Sequence, residues 1–186
     1  MYCPYCNKDT DTTVREIQET YPVKGEDITV NAHVRVCNCC KNDIWDTELD
    51  TKNLMDAYDE YRKRHQLLSP EDIRAIRNKY KLSQTAFARV LGLGDKTITR
   101  YENGSVADAA PNNLIFLAQQ PSNFKQLLEK NRSSISDTEY KVAQEALEDL
   151  HACVITTGRK TLYSGTEKAS IRYSNKPDFY WGDNYA

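Results

Sequence analysis

The first regular pattern along the chain is an alternation. Ile28, Val30, Ala32, Val34 and Val36 occupy every second position, with polar residues between most of them. A period of two puts all five on one face, which predicts a strand with one buried side. Upstream, Val14, Ile17 and Tyr21 are separated by polar residues, and Gly25 fits a turn between two strands. Residues 1–45 therefore read as a small β-rich unit.

The period then lengthens. Within residues 46–68, Leu54, Met55, Tyr58 and Tyr61 share one helical face, and the opposite face is charged. This helix is polar enough to bridge two units and reads as a linker or its flank. Residues 69–131 predict five short helices. Ser69 as N-cap, Pro70 at N1 and the acids Glu71 and Asp72 open the first, and Ile73, Ile76, Tyr80 and Leu82 lie on its buried side. Ser83 caps the second, where Phe87, Ala88 and Leu91 are apolar, and Gly92 supplies the positive φ that ends it. Asp95 opens the third, and Asn103-Gly104 closes it. Pro111 opens the fourth, with Leu114, Ile115 and Leu117 inside. Ser122 caps the fifth, with Phe124, Leu127 and Leu128.

Residues 132–186 form an extension. Ser136 and Glu139 make a capping box before a helix with Val142, Ala146, Leu147 and Leu150 on one face. Cys153 reads as a buried thiol in that helix. Beyond Thr156 aliphatic residues are scarce, but Tyr163, Tyr173, Phe179, Tyr180, Trp181 and Tyr185 are present. A binding surface, a self-packed hairpin such as Thr161–Tyr173 and a disordered tail are the three readings of this stretch. The fold class is α+β.

Composition narrows the setting. The chain has 186 residues, is 28% charged and has a net charge of −2, so the molecule as a whole does not advertise nucleic-acid binding. Only residues 69–131 are net basic, with 9 Lys and Arg against 6 Asp and Glu. No apolar run approaches the ~20 residues of a membrane span. "MYCPYCNKD" lacks the basic start and apolar core of a secretion signal. A cytoplasmic protein is expected, in a compartment where disulfides are rare.

Cysteine placement is the strongest chemical signal. Five of the six cysteines, Cys3, Cys6, Cys37, Cys39 and Cys40, precede residue 46. "CPYC" and "CNCC" are two knuckles, and two Cys-x2-Cys turns complete a tetrahedral thiolate shell around zinc. Cys3, Cys6, Cys37 and Cys40 give the two-residue spacing twice. Cys39 is then spare, and His33 is a weaker substitute ligand. Four thiolates leave no open coordination position, so the zinc is structural and supplies folding energy that so small a core lacks.

The second signal is "LSQTAFARVLGLGDKTITRYENG", from Leu82 to Gly104. A break at Gly92 lets one short helix rest on a DNA backbone while the next enters the major groove. Ile98 and Tyr101 are spaced for the core, which leaves Lys96, Thr97, Thr99 and Arg100 to face outward. A long basic side chain there reaches guanine O6 and N7, and a threonine touches a thymine methyl or a phosphate. Gln84, at the start of the preceding helix, suits a phosphate contact.

That stretch resembles the helix-turn-helix of the Cro/C1 (XRE) type. With two zinc knuckles ahead of it, residues 1–130 resemble the MqsA-type (YgiT-type) zinc-finger/helix-turn-helix antitoxins. The resemblance rests on Cys3, Cys6, Cys37 and Cys40 and on "TRYENG". It implies an N-terminal unit that binds zinc and a partner RNase toxin, and a C-terminal unit that forms a homodimer on a palindromic operator in double-stranded DNA and represses its own operon. In that family an Asn and an Arg of the third helix read bases. The Arg matches Arg100, whereas the Asn position holds Lys96. The family's short form ends near residue 131, so residues 132–186 depart from the pattern. The alternative is a zinc-containing regulator of the same DNA-binding type, related to phage or mobile elements, with no toxin. An enzyme has no support: there is no phosphate loop or nucleophile elbow, and His33, His65 and His151 are scattered.

Overall fold

A computed structural model describes residues 1–159, with side chains through Leu150. The side chain of Cys153 and residues 160–186, which carry the aromatic positions from Tyr163 onward, lie outside the described part.

The chain is α+β, an antiparallel N-terminal sheet region followed by helices. Strands β1 (Tyr2–Cys3) and β2 (Lys8–Asp9) pair antiparallel around the first knuckle. Strands β3 (Thr12–Val23) and β4 (Glu26–Cys37) form a long hairpin in register from Thr12 opposite Cys37 to Val23 opposite Glu26. Its two-residue loop, Lys24-Gly25, has φ of 49° and 84°, the doubly positive turn that matches strand twist. A short β5 (Asp43–Ile44) pairs with Arg35 and Val36 on the far edge of β4. The alternation read from the sequence holds: Ile28, Ala32 and Val36 are buried on one face of β4, and Val30 and Val34 are partly buried with them.

Helix α1 (Thr47–Arg64) packs on β4 and is part of the sheet unit's core. Asp46 caps it, accepting from the N–H groups of Glu48 and Leu49, and also pairs with Arg35 at 2.5 Å. The residues it buries are Asn53, Ala57 and Arg62; Leu54, Met55, Tyr58 and Tyr61 are only partly buried. Ala57 allows close approach to the sheet. Asn53 closes on both backbone groups of His33, accepting from its N–H at 2.8 Å and donating to its carbonyl at 3.0 Å. It thereby serves a stretch of β4 edge that β5 is too short to reach.

Five helices fill residues 69–131: α2 (Pro70–Lys79), α3 (Gln84–Val90), α4 (Thr97–Glu102), α5 (Ala109–Ala118) and α6 (Pro121–Lys130). Ser69 and Asp72 form a reciprocal capping box, and Ser83 caps α3. Three starts differ from expectation. Lys96, not Asp95, is the N-cap of α4, because the Asp95 carboxylate is taken by Arg89. Helix α5 begins at Ala109, ahead of Pro111, and α6 begins at Pro121 after Gln120, so Ser122 is not its cap. A proline within the first turn has no N–H to satisfy, which makes it a poor marker of the first residue.

Helix α7 (Asp137–Arg159) follows a single 3-10 turn, Arg132–Ser134, and opens with the Ser136–Glu139 capping box. Its Ala143 and Leu147 join the same buried cluster as Ile73, Phe87, Ile98, Ile115 and Phe124. At the centre of that cluster Tyr80 stacks on Phe124 with ring centroids 3.6 Å apart, and its hydroxyl donates to the Ala118 carbonyl at 2.7 Å. Among the described residues no helix is long and apolar enough to cross a membrane.

Candidate metal centre and nucleic-acid interface

The two knuckles converge because two unrelated turns end at one point. The first runs between β1 and β2, with Asn7 at φ 52°. The second follows β4. There Lys41, at φ 62°, donates to the Cys37 carbonyl at 3.0 Å, and the Cys37 N–H donates to Asn42 at 2.9 Å. As a result the ligand atoms of Cys3, Cys6, Cys37 and Cys40 all lie within 4.8 Å of one another. Cys3 Sγ is 3.6 Å from Cys40 Sγ, and Cys6 Sγ is 3.9 Å from Cys37 Sγ. A tetrahedral ion with bonds of ~2.3 Å has edges of ~3.8 Å, so the spacing fits a four-thiolate site.

Four thiols this close cannot ionise independently. The Thr10 hydroxyl, 3.2 Å away, and then the backbone N–H of Cys40 draw the Cys37 thiol down to about 6. The Cys6 thiol is pushed up, first by its contact with Cys40 and then by burial. A divalent cation would remove that conflict by stabilising all four thiolates. Cys3 and Cys37 are buried together with Ile44, and Cys6 and Cys40 pack against them, so the candidate ligands make up most of this small cluster. Cys39 is exposed and outside the group. His33 is also outside it, mid-strand, with its backbone held by Asn53, and so is not the substitute ligand that its proximity in sequence suggests.

The α3–α4 segment is fixed at both turns by the same backbone device. After α3, Gly92 (φ 69°) donates to Arg89 at 3.0 Å and Leu93 to Ala88 at 2.8 Å. After α4, Gly104 (φ 100°) donates to Tyr101 at 3.1 Å and Ser105 to Arg100 at 3.0 Å. Both are Schellman closures, which need a left-handed residue and find glycine there. Between them Arg89 grips Asp95 with two nitrogens, at 2.9 and 2.7 Å, and Asn131 donates to the Val90 carbonyl at 2.8 Å. The guanidinium holds the Asp95 carboxyl below the usual carboxylate range.

The centre of the segment is Glu102, a residue the sequence pattern did not single out. Arg77 of α2 binds it in a fork, Nε at 2.6 Å and Nη2 at 3.0 Å, and its Nη1 donates to the Leu82 carbonyl at 2.9 Å. Gln84 donates to the same carboxylate at 2.8 Å and accepts from the Thr99 hydroxyl at 2.9 Å. Arg74 donates to the Glu102 carbonyl at 3.0 Å. Burial would push this carboxyl up; Arg77, Gln84 and Arg74 outweigh it and hold the group below the ordinary 4.5. One buried acid thus locks α2, α3 and α4 together. A buried acid beside two arginines has no signature in a hydrophobic pattern.

The expected DNA-contacting residues divide accordingly. Lys96 and Arg100 are exposed and make no ion pair among the described residues. Thr97 is partly buried, close to Gly94. Gln84 and Thr99 face each other within the Glu102 network, so Thr99 does not point outward as its position in the helix suggested. Gln84 retains one amide N–H for a further partner.

Residues 1–132 match the family model of the antitoxin component of the bacterial toxin-antitoxin system, MqsA. The match spans most of the chain, including all four clustered cysteines and helices α1 to α6, and the chain belongs to that family. No curated protein sequence matches it.

Proposed function

We propose that the protein is the antitoxin of a toxin-antitoxin pair that also represses transcription from its own operator. Family membership carries the antitoxin role. In this reading Cys3, Cys6, Cys37 and Cys40 hold one structural zinc, which supplies folding energy and takes no part in chemistry. The proposal takes residues 1–45 as the zinc unit, 46–68 as the helix that packs on its sheet and leads into the next part, 69–131 as the DNA-binding part and 132–186 as an extension.

The DNA-binding half of the proposal rests on α4. Its inner face, Ile98 and Tyr101, is buried, and its position is locked through Glu102. Lys96 and Arg100 then project from a rigid base, the arrangement that base readout requires. Gln84 contacts a phosphate with its remaining N–H. A six-residue helix spans only a few base pairs, so the protein binds a palindrome as a homodimer. For the toxin, the zinc unit offers exposed aromatics: Trp45 is 77% exposed and Tyr5 66%. Such residues commonly anchor protein interfaces. The partner is proposed to be an RNase.

The test is co-expression with the product of the adjacent gene. Joint purification, and rescue of growth from a toxin that cleaves RNA, supports the reading. A purified protein that binds DNA but has no co-purifying neighbour and rescues nothing points to a regulator without a toxin.

A further inference from the structure

The turn that ends α4 is not held by the helical part alone. The carbonyl of Gly104 accepts a hydrogen bond from Nη2 of Arg62, on α1. Arg62 is only 5% exposed, and its Nη1 donates to Asp59 at 2.7 Å. On the same helix the sulfur of Met55 stands 2.7 Å from where a Cβ on Gly104 would be. Two residues further on, Val106 packs against the cluster of Val23, Ile28 and Ala57, with Tyr58 and Tyr61 beside it. Lys24, at the hairpin tip, pairs with Asp108, the N-cap of α5. All these partners come from the hairpin and α1, the unit whose far end carries the four cysteines.

Burying a guanidinium is costly unless its donors are used. Neither the cysteine cluster nor the Glu102 network uses Arg62. What its buried donor does is fix a backbone carbonyl in the Schellman turn, and the closing N–H of that turn, from Ser105, is bonded to the carbonyl of Arg100.

We propose that Arg62 is a positioning residue for DNA reading: it ties the turn after α4 to the metal-bearing unit, so that order in the cysteine cluster sets the order of the helix end carrying Arg100. The proposal rests on α4 being the DNA-reading helix. It means that loss of metal loosens residues 103–108, although no cysteine lies anywhere in 69–131.

Hydrogen exchange of the full-length, zinc-loaded protein tests it, read by mass spectrometry at the amides of Gly104 and Ser105. Arg62→Met keeps the aliphatic stem and removes the donors. Exchange there should rise about tenfold, with zinc content and α6 exchange unchanged. Arg62→Lys restores a donor and should return most of the protection. Chelation of zinc from the wild type should produce the same rise, and in Arg62→Met no further rise. If Arg62→Met fails to fold, Val106→Ala, on the other side of the contact, should shift exchange in the same direction. Wild-type exchange at Gly104 and Ser105 in these variants overturns the proposal. So does chelation that releases the amides of 12–37 and leaves 104 and 105 protected. A parallel titration with the duplex upstream of the protein's own coding region separates the two readings. Coupled exchange without any DNA binding overturns the DNA role and leaves the coupling; DNA binding with uncoupled exchange overturns the coupling.

Discussion

The side-chain nitrogen of Gln84 and a carboxylate oxygen of Glu102 lie 2.8 Å apart, joining the first residue of α3 to the last residue of α4. The bond makes Gln84 a structural residue as well as a proposed phosphate contact. Gln84→Ala should therefore lower stability by about 1 kcal/mol and weaken binding to all DNA sequences alike. A thermal melt and a gel-shift series on unrelated duplexes check the two effects separately.

Replacing Glu102 itself should be far more damaging. Glu102→Gln leaves Arg77 buried without its counter-charge and should cost about 3 kcal/mol in a denaturant titration. The pH dependence has a definite sign. The folded carboxyl titrates below its ordinary 4.5. Its stabilisation is therefore fully present above the unfolded value and is lost as pH falls through the lower folded value. Wild-type stability should drop in that acid window, and Glu102→Gln should flatten the drop. An unchanged acid profile in the variant would remove Glu102 from the account.

Metal content follows from the cysteine geometry. The purified protein should carry about one zinc per chain. Cys3→Ser or Cys40→Ser should lose the metal and unfold the N-terminal strands, visible by near-ultraviolet circular dichroism. Cys39→Ser should keep both metal and fold. Loss of zinc in Cys39→Ser would mean that the ligand set is wrong.

Gly104 answers to two constraints at once. Its φ of 100° disfavours any side chain, and Met55 occupies the space a Cβ would need. Gly104→Ala should cost about 2 kcal/mol in thermal or denaturant unfolding. The comparable change at Gly92, where the nearest atom is 3.9 Å away, should cost less.

At the proposed toxin surface, Trp45→Ala should weaken capture of the partner by at least about tenfold while leaving zinc content and melting temperature near wild type. An unaffected interaction in a pull-down titration would place the toxin elsewhere.

What the sequence made legible is what repeats or is chemically rare. The alternation from Ile28 to Val36 gave β4, serine caps gave the starts of α2, α3 and α7, and two Cys-x2-Cys pairs gave the cluster of four cysteines. Gly92 and Gly104 were readable as helix ends because glycine takes the left-handed conformation at the least cost, whereas Gln66 and Lys81, which take it after α1 and α2, carry no such mark. What stayed hidden is buried polarity. Asn53, Arg62 and Glu102 look like surface residues in any hydrophobic pattern, and only their partners, brought from 20, 42 and 25 residues away, explain their burial. Asp95 misled for a related reason: an acid before a helix reads as a cap, but a nearby arginine competed for it.

The most direct test of the central proposal is a fluorescence titration of the zinc-loaded protein against the duplex upstream of its own coding region, run beside Arg100→Ala at several salt concentrations. The account predicts tight, steeply salt-dependent binding to that duplex. Arg100→Ala should cost about 1–3 kcal/mol of affinity and the preference at one base position, while its melting temperature stays unchanged. Equal affinity for the operator and for unrelated duplexes, or an Arg100→Ala curve that overlays the wild type, would contradict it.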